Sequence, residues 1–201
     1  MEKENKSITQ DPEQHSRCER LLFSALEKNH TIRKLISEIE DLGCTIPPNF
    51  FLCKPSTDPN VSGGFVMPDP QNNNINEYKP GVVIFENRII EKESFENTIA
   101  HELVHAYDQC RAKIKLNNCL HHACTEIRAS NLSGECTWWQ ELNRGNLTVV
   151  EGKMKCVKRR AQLSLSSNPY CKDRAEQSVE TVFPVCYNDI SPLNEDDLWK
   201  S

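Results

Sequence analysis

Two histidines four residues apart, with a glutamate directly after the first, stand at the centre of Thr98-Ile-Ala-His-Glu-Leu-Val-His-Ala-Tyr-Asp108. On an α-helix, residues at that spacing lie about 40° apart around the axis and about 6 Å along it. His101 and His105 therefore present two imidazoles from one face, at the span needed to grip one Zn²⁺. Glu102 can aim its carboxylate at a water in the fourth position of such an ion. Zinc lowers the pKa of that water to about 7, and the carboxylate takes its proton as a carbonyl is attacked, then passes it to the leaving amine. The competing reading is two surface histidines on an ordinary helix. The apolar periodicity around the motif and the strand before it favour the zinc-peptidase setting.

A peptidase of this kind needs a third protein ligand. The metzincin extension requires Gly at 108 and His at 111; Asp108 and Arg111 stand there, which excludes that class. The candidates lie between Asn118 and Ala129. Glu126, on the next predicted helix, completes a set of two histidines and one glutamate, and is favoured. His121 or His122 would instead give three histidines. Outside a metal site, Glu126 would pair with Arg128 or Lys113. Asp108, one turn beyond His105, is a candidate outer partner for an imidazole N–H. Cys110, Cys119, His121, His122 and Cys124 invite a second, structural zinc site, but their spacing matches no closed one. No thiol is marked as an activated nucleophile.

The elements that must position these residues are legible in outline. Apolar residues at 22, 26, 32, 35, 36 and 39 predict helix from Cys18 to Leu42, with a restart at Thr31 that would make two helices and Gly43 as terminator. Pro47-Pro48 interrupts a short strand expected between Thr45 and Leu52. Residues 53–80 read as turns around extended pieces such as Gly64-Phe65-Val66. Gly81 to Phe85 reads as a buried strand, followed by a helix from about Ser94 that carries the histidines. Further helices are expected at about 121–142, 155–167 and 171–187, the last two folding back antiparallel at Pro169. Residues 1–16 read as a disordered tail, 17–190 as one domain and 191–201 as a C-terminal tail.

At 201 residues the chain is long enough for one domain with a sizeable core. Its 24 basic against 29 acidic side chains give a net charge of −5, which argues against a protein that works on nucleic-acid backbones. No apolar run is long enough to span a bilayer. The one basic cluster, Lys153 to Arg160, reads as a solvated helix face or as a surface for anionic lipid.

Ten cysteines are spread along the whole chain without a C-x2-C pair, which suggests a disulfide framework and hence an oxidising compartment. A reduced protein with buried thiols is the alternative. The acidic, polar N-terminus resembles neither a secretory signal nor an Arg-rich matrix presequence. The mitochondrial intermembrane space, which retains cysteine-rich proteins by oxidising them, reconciles the two observations. Ten cysteines allow about 945 pairings. An antiparallel pair of C-terminal helices would bring Cys156 near Cys186.

The chain resembles the mitochondrial inner-membrane metalloprotease family that processes and helps assemble subunit 6 of the ATP synthase. The resemblance is carried by Asn60-Val-Ser-Gly-Gly-Phe65, Thr98 to Asp108, His122-Ala-Cys-Thr-Glu-Ile-Arg-Ala129, Asn131-Leu-Ser-Gly-Glu-Cys136 and the dispersed cysteines up to Cys186. It implies a zinc endopeptidase with His101, Glu102 and His105 in the His-Glu-x-x-His roles. The enzyme would lie on the intermembrane-space side, peripheral to the inner membrane. Its partners would be the subunit 6 precursor and assembly intermediates of the membrane sector, with a chaperone role separable from cleavage. The family often pairs cysteines near Cys53, where this chain has one. The expected fold is α+β, a mostly helical single-domain zincin with a small sheet, stabilised by disulfides. A substrate peptide would lie in a cleft beside the zinc helix, with Asn60–Phe65 along its edge. The rival reading is a non-catalytic, disulfide-rich assembly factor.

Overall fold

The computed structural model describes residues 10–66, 80–89, 91–136 and 149–198. Helix α1 (Pro12–Lys28) begins with Asp11 accepting from the Glu13 N–H, with proline in the first turn, so the start of the domain reaches into the expected tail. Asn29 ends α1 and caps α2 (His30–Asp41) by accepting from the Ile32 N–H, which gives the two helices expected, one residue earlier than Thr31. Gly43 follows at φ +87°, the left-handed turn that L side chains disfavour.

The sheet has three short strands. β1 (Phe51–Lys54) runs parallel to β3 (Gly81–Phe85), and β2 (Gly63–Val66) pairs antiparallel with the other side of β3. The prolines displace β1, which overlaps the segment in which it was expected only at Phe51 and Leu52 and runs on to Lys54. β3 is central, and its Val82 and Ile84 are buried.

A single turn of 3-10 helix (Glu86–Arg88) leads from the sheet to the long α3 (Lys92–Arg111). α4 (Cys119–Leu132) follows, started by Asn118, whose side chain accepts from the Leu120 and His121 N–H groups. It ends ten residues short of expectation at Ser133-Gly134, with Gly134 at φ +89°; the remainder of the expected helix, from 137 on, lies outside the described residues. α5 (Val149–Ser167) and α6 (Ala175–Asn188) form the antiparallel pair expected around Pro169. A short α7 (Glu195–Leu198) follows. Buried Leu193, and Asp197 paired with Lys34 at 2.6 Å, dock this last segment on α2, so the segment expected to be a tail is packed structure up to Leu198.

Two apolar clusters make up the interior. One joins α1, α2, the sheet and α3; the other lies among α4, α5 and α6. α4 contributes to both, Ala129 and Leu132 to the first and Ala123 and Ile127 to the second. It is therefore buried almost all round, and its polar residues Thr125, Glu126, Arg128 and Asn131 are inside the protein.

All ten cysteines are bridged: Cys18–Cys53, Cys44–Cys110, Cys119–Cys171, Cys124–Cys186 and Cys136–Cys156. The expected Cys156–Cys186 bridge is absent. α5 and α6 both pack on α4, so Cys186 bonds to that helix and Cys156 to Cys136 just beyond it. The second zinc site considered around Cys110, Cys119 and Cys124 is excluded for the same reason, since each of these sulfurs is spent on a separate bridge. The lone Cys53 finds its partner in α1.

Candidate metal centre

α3 and α4 cross with their polar faces turned to each other, and the helical register of α3 sets His101 and His105 on that face. Their rings meet edge to face with centroids 4.8 Å apart. Glu126 of α4 completes the group: its Oε2 is 3.5 Å from His101 Nε2 and its Oε1 is 3.6 Å from His105 Nε2. One donor atom from each of the three lies within 4.8 Å of the others. Tetrahedral zinc bound at about 2.0–2.2 Å holds its ligands roughly 3.3–3.6 Å from one another. The donor chemistry and the spacing fit such an ion. Of the alternatives for the third donor, His121 is exposed on the outer face of α4. His122 is buried and touches Glu126 rather than the two histidines of α3, with its Nε2 3.2 Å from Glu126 Oε1.

Each α3 imidazole is held by its other nitrogen. His105 Nδ1 donates to Thr125 Oγ1 at 2.9 Å, and the threonine hydroxyl donates onward to Asp108 Oδ2 at 2.9 Å. His101 Nδ1 lies 3.1 Å from Glu135 Oε1, as its donor. Both bonds orient the rings with Nε2 directed at Glu126, the nitrogen that would face a metal. Asp108 was the outer partner anticipated from the sequence, but it acts through Thr125, because the Arg128 guanidinium takes up its carboxylate from the other side at 3.0 Å. Arg128 is fully buried and also donates to the Asp189 and Ser191 carbonyls. The salt bridge considered for Glu126 is thus made by Asp108 instead.

Thr125 and Glu135 were not assigned roles from the sequence, and His122, considered there as a third ligand, contacts Glu126 instead. Glu135 stands in the Asn131-Leu-Ser-Gly-Glu-Cys136 motif, which was the available signal. It sits past the helix end, in the turn at Gly134, and it also pairs with Arg160 of α5.

Charge in the centre is unevenly distributed. Burial by itself raises the Glu126 carboxyl, but His105, His101 and His122 around it hold it well below the usual carboxylate range. Burial opposes charge on His101, yet Glu135 and Glu126 hold that ring well above the ordinary imidazole value. His105 goes the other way, lowered to about 4 chiefly by burial. Glu135 is buried too, but His101 and Arg160 bring it down to about 2.

Glu102 is buried beside the three donors, and burial pushes its carboxyl up to about 7, against the pull of His101 and of the Phe65 backbone amide. That amide belongs to β2, which lies over α3 at this point. A Cβ on Gly63 would come within 2.7 Å of Thr98 Cγ2 and 3.0 Å of the Val83 carbonyl, so glycine is what allows β2 to approach the helix. Within the Asn60–Phe65 segment expected along the cleft edge, Gly63 makes its close approach to α3. The arrangement supplies a cation site on one side and a buried proton acceptor on the other, under a strand at the edge of the sheet.

The chain matches the Peptidase M76 family over residues 16–194. It is similar to the mitochondrial inner membrane protease atp23 of Schizosaccharomyces pombe, 37% identical over 195 residues that cover 94% of this chain and 99% of the relative. It is similar also to the proteins of the same name from Malassezia globosa, 34% identical with 89% and 76% covered, and Yarrowia lipolytica, 37% identical with 88% and 67% covered. No solved structure matches. A single family extends over nearly every element that shapes the His101, His105 and Glu126 cluster, and the chain belongs to it: it is a metallopeptidase of the Peptidase M76 family.

Proposed function

We propose that this chain is a zinc endopeptidase of the mitochondrial inner membrane, acting from the intermembrane-space side, which matures the ATP synthase subunit 6 precursor and assists its assembly into the membrane sector. The observation that carries the catalytic part is the convergence of His101, His105 and Glu126 within 4.8 Å, with Glu102 buried beside them. A zinc ion held there supplies a Lewis acid to a peptide carbonyl and makes water a nucleophile near neutral pH.

The protein's own groups do the rest. Thr125 and Glu135 orient the two imidazoles, so that Nε2 of each would face the ion. Glu102 takes the proton of the attacking water and delivers it to the departing amine, and a carboxyl titrating near neutral suits both halves of that transfer. β2 is a terminal strand of the sheet, paired with β3 on one side only among the described residues. An extended substrate segment can pair with its other side and so be laid along the cleft in one register.

The location rests on the names of the relatives, on five disulfides that need an oxidising compartment, and on the absence, among the described residues, of any helix long and apolar enough to cross a membrane. In the basic cluster of α5, Lys158 pairs with Glu180 at 2.6 Å and Arg160 with Glu135, and Lys155 and Arg159 are also exposed on this helix, a face that suits a lipid surface.

The test is zinc content per chain in the oxidised protein beside His105→Ala and Glu126→Ala, followed by cleavage of a subunit 6 precursor. About one zinc, lost in both variants, together with precursor cleavage supports the reading. A wild-type protein that holds zinc and supports assembly while cleaving nothing would favour the non-catalytic assembly factor.

A further inference from the structure

His122 is buried against the metal centre, yet the proposed chemistry gives it no task. Both of its ring nitrogens are engaged: Nε2 lies 3.2 Å from Glu126 Oε1, and Nδ1 lies 2.9 Å from Asn168 Nδ2. The amide of Asn168 is itself oriented, because the Tyr170 N–H donates to its Oδ1 at 2.9 Å and its Nδ2 donates to the Leu116 carbonyl at 3.0 Å. The amide nitrogen therefore faces the ring, Nδ1 has to accept, and the ring proton sits on Nε2, from which it is donated to Glu126. An imidazole in that state has no lone pair left for a cation. It has instead a fixed donor for a ligand carboxylate. The turn that carries Asn168 is tied to the start of α4 by Cys119–Cys171.

We propose that His122, set by Asn168, is a positioning residue that holds the Glu126 carboxylate in its ligating orientation. This rests on the reading of His101, His105 and Glu126 as the metal site. With the donor in place, the carboxylate is immobilised before the cation arrives, so its ordering is not charged against metal binding. Without it, one carboxylate oxygen is left buried with a partner missing, and the side chain is free to turn away.

Zinc affinity, measured by competition with a chromogenic chelator on the oxidised full chain, tests this without reference to turnover. His122→Ala is expected to weaken zinc binding about 10–100-fold. Asn168→Ala should weaken it less, since the ring remains but its tautomer is released. His122→Gln, whose amide can donate from nearly the same place, should recover most of the loss. X-ray absorption of the zinc form should show two imidazoles and one carboxylate. Variants that lower Tm but keep the wild-type zinc affinity would reduce His122 to packing and overturn the proposal. Three imidazoles on zinc would also overturn it, by making His122 a ligand. Wild type that binds no zinc would remove the metal-site reading and this inference with it, whereas wild-type binding with unchanged variants would remove this inference alone.

Discussion

Glu102 and Glu126 lie close together in one buried site, and their surroundings drive them to opposite protonation behaviour. Neighbouring histidines hold the Glu126 carboxyl well below the usual carboxylate range, while burial raises Glu102 to about 7, which suits the proposed division between a ligand and a proton carrier. Glu102→Gln keeps the size of the side chain and removes its basicity. It is expected to retain zinc and lose about 10²–10⁴-fold in precursor cleavage, read as kcat with zinc content measured alongside. Thr125→Val tests the support of the metal site rather than the proton carrier. The change leaves His105 Nδ1–H without an acceptor in a buried place, and zinc affinity should fall about 10–100-fold in chelator competition.

At the scale of elements, the site depends on how closely β2 lies on α3 and how firmly α1 is tied down behind the sheet. Gly63→Ala places a methyl against Thr98 and the Val83 carbonyl, and the strand must move. A loss of about 1–3 kcal/mol in denaturant unfolding is expected, together with a raised KM for an extended peptide. α1 is held by His15, whose Nδ1 lies 2.7 Å from the buried Glu86 carboxylate. That hydrogen bond, opposed by partial desolvation and helped by Glu19, raises the imidazole pKa. Its stabilisation is fully present below the ordinary imidazole value of about 6.5 and is lost as pH rises through the elevated folded-state value. The Tm difference between wild type and His15→Gln should accordingly be larger at pH 6 than at pH 8.5; equal differences at both would mean that the pair contributes nothing to docking.

The molecule as a whole is two apolar clusters sharing α4, with four disulfides reaching α3, α4 or the turn after α4 and Cys18–Cys53 tying α1 to β1. Cys124–Cys186 closes a separation of 62 residues and fixes α6 on α4. Replacing both cysteines with alanine should cost about 2–5 kcal/mol in denaturant unfolding. The sequence by itself determined what is local. The His-Glu-x-x-His face follows from helical geometry, β3 from a short apolar run, and a break between α1 and α2 was legible within one residue of Asn29-His30, because all of these are set within a few residues. It also offered Glu126 as the favoured third donor beside His121 and His122, and could not settle the choice among them, since a helix buried almost all round shows no clear period that separates its inner face from its outer one. The cysteine pairing, the placement of Asp108 behind Thr125, and the roles of Glu135 and His122 were decided only by the tertiary structure. Apart from His122 and Glu126, one turn apart on α4, these contacts join residues far apart in the chain that meet only when the elements pack together.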